Sequence, residues 1–274
     1  MAIVKGALQV TGGIKGVSFY SISGSDKVIM RTKGGPTKRR MKVGPEFEKV
    51  RKHQAEWAAC VMFSNHLNYA TGEFKKLGDY NVSPVWNGIG KKLINLDKEH
   101  ETGQRSLCLS HYPLALEGFN MNRNFTFNAV FRALLSIELN KKEKKLTIQI
   151  PRINTANDLY NIQKLPYFRL QFSLGIISDI VYFENENYKP YKFMVDQLPA
   201  YSQLEKTEWL STNDIIESSQ FEIILDTDLP DEEIQHVTFL ASVAIEFARV
   251  GFAGQIEPVK RASAAKILLA ESCK

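Results

Sequence analysis

Apolar and polar residues alternate along much of the chain after residue 103. A period of two is the pattern of strands that bury one face. The segments with this pattern, or with a short apolar run bounded by turn residues, are 125–131, 136–139, 146–150, 168–174, 180–183, 221–225, 236–247 and 262–269. Many short strands separated by turns are typical of a sandwich. We therefore expect an antiparallel β-sandwich of the immunoglobulin or fibronectin kind.

Residues 45–103 show helix signals instead. Pro45 suits the first position of a helix, and Glu46 lies near the positive end of its dipole. A second helix start follows at Ser83-Pro84. Each segment then repeats apolar residues at helical spacing. The first stripe consists of Phe47, Val50, Trp57 and Val61, and the second of Trp86, Ile89, Leu93 and Leu96. We expect two helices that pack as an antiparallel pair.

The start of the chain is rich in glycine and basic residues. Two strand-like segments, 16–22 and 27–32, flank the turn sequence 23–26, which predicts a β-hairpin. A hairpin is only marginally stable alone, so this arm should pack on something else. The expected class is α+β, with a basic hairpin arm over 1–44, a helical segment over 45–103 and the β-sandwich over 104–274.

Positive charge is concentrated in the same region. The chain has a net charge of +5. Residues 1–52 contribute +9, from twelve Lys or Arg residues against three acidic ones, and the remaining residues contribute −4. Such asymmetry indicates a surface for an anionic partner, although a solvated charge run gives the same pattern.

Basic and aromatic residues of this region are the candidate partner-binding residues, because Tyr, Trp and Arg are enriched where interfaces bind most strongly. They are Phe19, Tyr20, Arg31, Lys38, Arg39, Arg40, Lys42 and Trp57. An exposed hairpin can extend a partner's sheet, so we expect docking on a larger protein complex. Aromatics among cations also suit nucleic acid or a phage-related structural role, which is the alternative. Trp57 could instead pack in the core of its helix.

Motifs for catalysis or metal binding are missing from the sequence. Three scattered cysteines and five histidines show no zinc-site spacing, and no Gly-x-Ser-x-Gly elbow or phosphate-binding loop is present. Ser110 and His111 are adjacent, but neighbours on a strand point to opposite faces. Cys60 lies in an apolar helical stretch and should be buried and unreactive. We expect no enzyme, metal, cofactor or small-molecule substrate. A carbohydrate-binding sandwich is a further alternative, and a hydrolytic one would need two carboxylates in one cleft.

Two features bear on the compartment. No apolar run reaches the roughly 20 residues that a membrane-spanning helix needs. The first residues, MAIVKGALQVTGG, lack the apolar core of a signal peptide. Both features predict a cytoplasmic protein.

The run GIKGVSFY at 13–20, followed by VIMRTKGGP at 28–36, resembles the opening of a group of uncharacterised proteins common in Bacteroidetes. The similarity continues through FEKVR at 47–51 and the helix with Glu56, and through the later strands, including 168–170 and 245–247. By size and by the lack of catalytic motifs, the chain also resembles plug proteins of the type 9 secretion system. The resemblance implies an occluding subunit at the periplasmic side of an outer-membrane β-barrel translocon.

Overall fold

The chain consists of two compact units, residues 1–51 and 52–274. The computed structural model describes residues 2–4, 11–22, 27–32, 34–184 and 190–274. The division differs from the expected boundaries at 44/45 and 103/104. In the structure, the helices after residue 52 pack on the same sheet as the later strands and share a core with them.

The first unit is built on a small antiparallel sheet and one short helix. Its described elements are β1 (Ala2–Val4), β2 (Gly12–Ile14), β3 (Val17–Ser21), β4 (Val28–Thr32) and α1 (Lys38–Val43). Among the described residues, the strand order is β1-β4-β3-β2. Strands β3 and β4 lie where the sequence predicts a hairpin, with Phe19 opposite Met30. The predicted turn, 23–26, lies outside the described residues.

The second unit combines helices with antiparallel strands. Its helices are α2 (Glu48–Ala70, which begins in the first unit), α3 (Ser83–Ile94), α4 (Phe127–Val130) and α5 (Thr155–Asp158). Its strands are β5 (Ser136–Asn140), β6 (Lys145–Ile150), β7 (Ile153–Asn154), β8 (Tyr167–Ser178), β9 (Ile180–Tyr182), β10 (Tyr191–Phe193), β11 (Ala200–Lys206), β12 (Leu210–Ser211), β13 (Ile215–Ile216), β14 (Ser219–Ile224), β15 (Val237–Val250), β16 (Ile256–Pro258) and β17 (Ala264–Ser272). The described strand pairs are antiparallel, which confirms the α+β class and the antiparallel sheets.

Two long strands form the centre of the second unit. Strands β8 and β15 pair over twelve residues, from Val237 opposite Ser178 to Ala248 opposite Tyr167. Strand β11 extends this sheet on one side, and β16 and β17 both pair with β15 on the other. A smaller sheet has the order β14-β6-β5.

The central sheet is covered on both faces. One face of β8, with Phe168, Leu170 and Phe172, shares an apolar core with β6 and β14 of the smaller sheet. The other face, with Ile177 on β8 and Leu240 on β15, packs against α2 and α3. The result is a sandwich-like pair of sheets with a helical layer on the outer face of the larger one.

Small residues allow the helices to pack closely. A Cβ on Gly175 of β8 would lie 1.9 Å from the Ala70 carbonyl oxygen, so the end of α2 rests directly on the sheet. A Cβ on Gly90 of α3 would lie 3.1 Å from Phe63 and 3.4 Å from Cys60 of α2. Helices α2 and α3 therefore form the pair that the sequence predicts.

Two local predictions are wrong. The buried face of α2 consists of Glu56, Ala59, Cys60, Phe63, Ser64, Leu67 and Ala70, and not of the predicted stripe. Val50 and Trp57 of that stripe are exposed, because the face is set by packing on the sheet and by an ion-pair network around Glu56. The predicted strand over 125–131 is absent: Phe127–Val130 form the short helix α4 instead, because Phe127, Val130 and Phe131 recur at helical spacing and enter the core together.

Candidate functional site

The sheet of the first unit holds three of the candidate residues. Phe19 and Tyr20 are neighbours on β3 and point to opposite faces, and Arg31 lies on β4 opposite Ser18. Tyr20 and Arg31 thus share a face, and the Arg31 guanidinium carbon lies 5.4 Å from the centre of the Tyr20 ring. This distance is typical of a cation–π contact, which holds the cation over the aromatic face.

Most of the basic candidates lie on α1. Thr37 caps this helix by accepting a hydrogen bond from the Arg40 backbone N–H at 3.2 Å. At the other end, Arg51 donates to the carbonyl oxygens of Met41 and Gly44 at 3.0 and 2.8 Å. Neither contact uses a side chain of the cationic run, which is KRRMK at 38–42. The helix is thus held in place while the run faces solvent.

The cations of α1 differ in how they are paired. Arg40 makes an ion pair with Glu46, with 2.8 Å between Nε and Oε1. Lys38 and Arg39 are exposed and make no ion pair within the residues that the structure describes. Unlike Arg40, these two residues carry positive charge that no described carboxylate neutralises.

Apolar residues in the described part of the first unit are, apart from Val28, exposed or only partly buried. Among residues 11–22, 27–32 and 34–51, one hydrophobic side chain is buried, that of Val28. Ile14, which shares a sheet face with Phe19, is 59% exposed, and Val43 on α1 is 73% exposed. We call five exposed side chains of this unit the arm surface: Ile14, Tyr20, Lys38, Arg39 and Val43.

Trp57 is not part of this unit. It belongs to residues 52–274 and is 47% exposed on α2, so it does not fill the helix core. The structure therefore places seven of the eight candidate residues in one unit and Trp57 in the other.

A buried carboxylate on α2 was missed by sequence reasoning. Both Glu56 oxygens are used: Arg105 donates to each at 2.8 and 2.9 Å, the Gly103 backbone N–H donates at 2.8 Å, and Lys91 completes the network. Burial alone raises the pKa of Glu56, but the hydrogen bonds from Arg105, Lys91 and Gly103 outweigh it and lower that pKa to about 2. The Glu56 carboxylate is charged at neutral pH and links α2 to Lys91 of α3 and to the segment with Gly103 and Arg105. Both of its oxygens are used in these contacts, so neither is available to a substrate.

Ser110 and Cys60, the two nucleophilic side chains considered from the sequence, have structural roles. The Ser110 hydroxyl donates to Asp179 and not to His111, and the Ser110 backbone N–H also donates to Asp179 at 2.9 Å. Burial raises the pKa of Asp179. Cys60 is fully buried, as the sequence predicts, and burial raises the pKa of its thiol to about 11. A thiol with that pKa is protonated at neutral pH and is a poor nucleophile.

Known proteins offer no identification. No family model matches the chain, and no curated protein matches it by sequence. Within the described part of the chain, no helix is both long and apolar enough to span a bilayer, and no three His, Cys, Asp or Glu residues are grouped to hold a metal ion. The candidate site therefore has to be judged from its geometry and charge.

Proposed function

We propose that the protein is a non-catalytic binding subunit that docks on a larger protein assembly through the arm surface. The observation that supports this most strongly is the mismatch between sheet and core in the first unit. A small sheet is ordinarily stable only when one apolar face is covered. In the described part of residues 11–51, however, only the Val28 side chain is a buried hydrophobic one. A protein partner supplies the apolar cover.

The sheet also offers backbone groups for pairing. Strands β1 and β2 lie at its two edges in the described part of the unit. An edge strand presents unpaired N–H and C=O groups that a strand of a partner can extend. Glycine occupies two of the three positions of β2, which leaves its backbone accessible to a second chain.

Charge favours an acidic protein surface as the partner. Residues 1–52 have a net charge of +9, and Lys38 and Arg39 project from α1 beside exposed Val43. Complementary charge steers encounter and fixes register, while the apolar contacts supply affinity. An apolar and basic surface together fits a protein with an acidic rim around an exposed strand.

Affinity purification from the native cell tests the proposal. We expect the wild-type chain to recover one protein complex after nuclease treatment, and the double variant Lys38→Glu, Arg39→Glu to lose it. The matched control is Lys92→Glu with Lys142→Glu, which makes the same change in charge on exposed lysines of the second unit. Equal recovery by both double variants would contradict the role of the arm surface.

Nucleic acid is the second candidate, because the contact between Tyr20 and Arg31 places a cation beside an aromatic ring, as in sites that stack bases. Binding to bare RNA or DNA that weakens steeply with salt would favour it. Salt-insensitive recovery of a protein complex after nuclease treatment favours docking on protein.

Two finer assignments are part of the same proposal. The resemblance to Bacteroidetes proteins supports an outer-membrane translocon of type 9 secretion as the larger assembly, with this chain occluding its periplasmic side. Recovery of that translocon in the purification would be the expected result. The two antiparallel sheets around a shared apolar core support an immunoglobulin- or fibronectin-type sandwich, to which the helical layer would be an addition.

A further inference from the structure

We propose that the second unit binds a nucleoside phosphate in two adjoining clefts, independently of the arm surface. A basic cleft of about 970 Å³ has Lys76, Lys260 and Arg261 in its lining. An aromatic cleft of about 590 Å³ has Phe125 and Tyr160 in its lining. Arg261 and Ser263 line both, so the clefts adjoin at this segment.

The basic cleft lies where the helical cover of the central sheet ends. Helix α2 stops at Ala70, and beyond it the sheet face carries polar residues: Arg169 and Gln171 of β8 and Glu246 of β15. Arg169 donates to Glu246 at 2.9 and 2.6 Å, and Gln171 donates at 2.9 Å. This sheet face is the floor of the basic cleft, and the Glu246 carboxylate on it is neutralised by Arg169.

Cations outnumber carboxylates around this floor. Lys76 is paired at 3.4 Å with Glu73, an exposed side chain. The side chains of Lys206, Lys260 and Arg261 make no hydrogen bond or ion pair within the residues that the structure describes. Burial, and then repulsion from Arg169, lower the pKa of Lys206 against the attraction of Glu246, and Lys76 lowers it further, so Lys206 lies close enough to Arg169 and Lys76 to be repelled by them. A phosphate would relieve that repulsion and accept their hydrogen bonds.

The wall of the basic cleft is fixed in position. Asn122 is buried, and its amide nitrogen donates to the Ser263 carbonyl oxygen at 2.9 Å, while its oxygen accepts from the Ala265 backbone N–H at 3.0 Å. Arg261 adopts a left-handed backbone, with φ of 64°. That conformation is uncommon for residues other than glycine. The backbone that carries Arg261 is therefore held in a defined conformation.

The aromatic cleft suits a planar ring. Phe125 and Tyr160 are 43% and 45% exposed, with ring centres 6.2 Å apart. Stacking of a base on such rings is tolerant of sequence and contributes substantially to binding. Gln163, also in the lining, makes no hydrogen bond within the described part of the chain, so its amide can pair with a base edge. A base in this cleft would place its 5′-phosphate toward Arg261.

Titration of the full-length protein with AMP, ribose 5-phosphate and adenosine tests the proposal. Isothermal calorimetry should show AMP binding at least about tenfold more tightly than either fragment, because AMP alone fills both clefts. The variant Lys260→Ala, Arg261→Ala should weaken the binding of AMP and of ribose 5-phosphate by about tenfold or more and leave the binding of adenosine unchanged. The variant Tyr160→Ala should weaken the binding of AMP and of adenosine and leave the binding of ribose 5-phosphate unchanged. The control is Lys98→Ala, Lys142→Ala, at exposed positions outside both clefts.

Three results would overturn the proposal: no saturable binding of AMP at millimolar concentration, ribose 5-phosphate binding as tightly as AMP, or equal loss in the cleft and control variants. Near-ultraviolet circular dichroism of each variant separates loss of binding from loss of folding. The Lys38→Glu, Arg39→Glu variant should bind AMP as the wild type does, so this site and the docking surface can fail separately.

Discussion

Replacing Glu56 by Gln tests the buried network that joins α2, α3 and the loop around Gly103. Gln keeps the size of the side chain but removes the charge, and its amide N–H groups would face the donors of Arg105 and Lys91. The two cations would lose their only anion within the network, and breaking a buried ion pair costs about 3–5 kcal/mol.

The shift in pKa gives a second measure of the same effect. The pKa of Glu56 falls from an ordinary 4.5 to about 2 in the folded chain. At about 1.4 kcal/mol for each pKa unit, the folded carboxylate contributes about 3 kcal/mol at neutral pH. Because the folded pKa is depressed, this contribution is complete above pH 4.5 and is lost as the pH falls toward 2.

Urea unfolding followed by circular dichroism at pH 7 and at pH 3 measures both effects. We expect Glu56→Gln to lower the unfolding free energy by about 3 kcal/mol at pH 7, which is a midpoint shift of about 1 M urea or more, and by clearly less at pH 3. The matched control, Glu73→Gln at an exposed ion pair, should change stability by less than about 1 kcal/mol. A loss below 1 kcal/mol at Glu56, or a loss that does not change with pH, would refute the reasoning.

Two further substitutions in the second unit have defined outcomes. Asp179→Asn should leave the protein at least as stable at pH 7, because burial raises the pKa of Asp179 and Asn still accepts from the Ser110 backbone N–H. A raised folded pKa favours the protonated form, so the advantage should disappear as the pH falls below 3.8, and thermal unfolding at pH 7 and 3 checks this. Gly175→Ala should destabilise by about 3 kcal/mol or more, because its Cβ would clash with the Ala70 carbonyl. Gly88→Ala, with open space around the Cβ in α3, should stabilise by about 0.5–1 kcal/mol in the same urea assay. Equal effects at the two glycines would contradict the close packing of α2 on the sheet.

Strand positions could be read from the sequence because alternation is a local property. The turn around 141–145 and the strands that flank it follow directly from composition and period. The short run 125–131 could not be decided in this way. Its aromatic residues fit both a period of two and a spacing of four, and core packing selects the helix.

The sequence contains a signal for the helical layer, but it lies in a strand whose apolar residues do not alternate with polar ones. Strand β15 is buried at its first twelve positions, and the sequence shows an almost unbroken apolar run there. Such a run is typical of a strand covered on both faces, so it indicates a layer beyond a two-sheet sandwich. The buried face of α2 had no such signal, because Glu56 becomes compatible with burial only when Arg105 and Lys91 are in place.

The basic region was recognisable from charge, but the clefts of the second unit were not. Their cations come from positions as distant in sequence as Lys76 and Arg261, which only the antiparallel pairing of β8, β15 and their neighbours brings together. A single sequence does not show which distant residues meet.

Photo-crosslinking from the arm surface in the native cell tests the docking proposal most directly. A benzoyl-phenylalanine in place of Tyr20 is compared with the same group in place of Phe252, which is 94% exposed in the second unit. The account predicts an adduct with a protein from position 20 that is absent from position 252. Adducts with nucleic acid alone, or the same protein adducts from both positions, would contradict it.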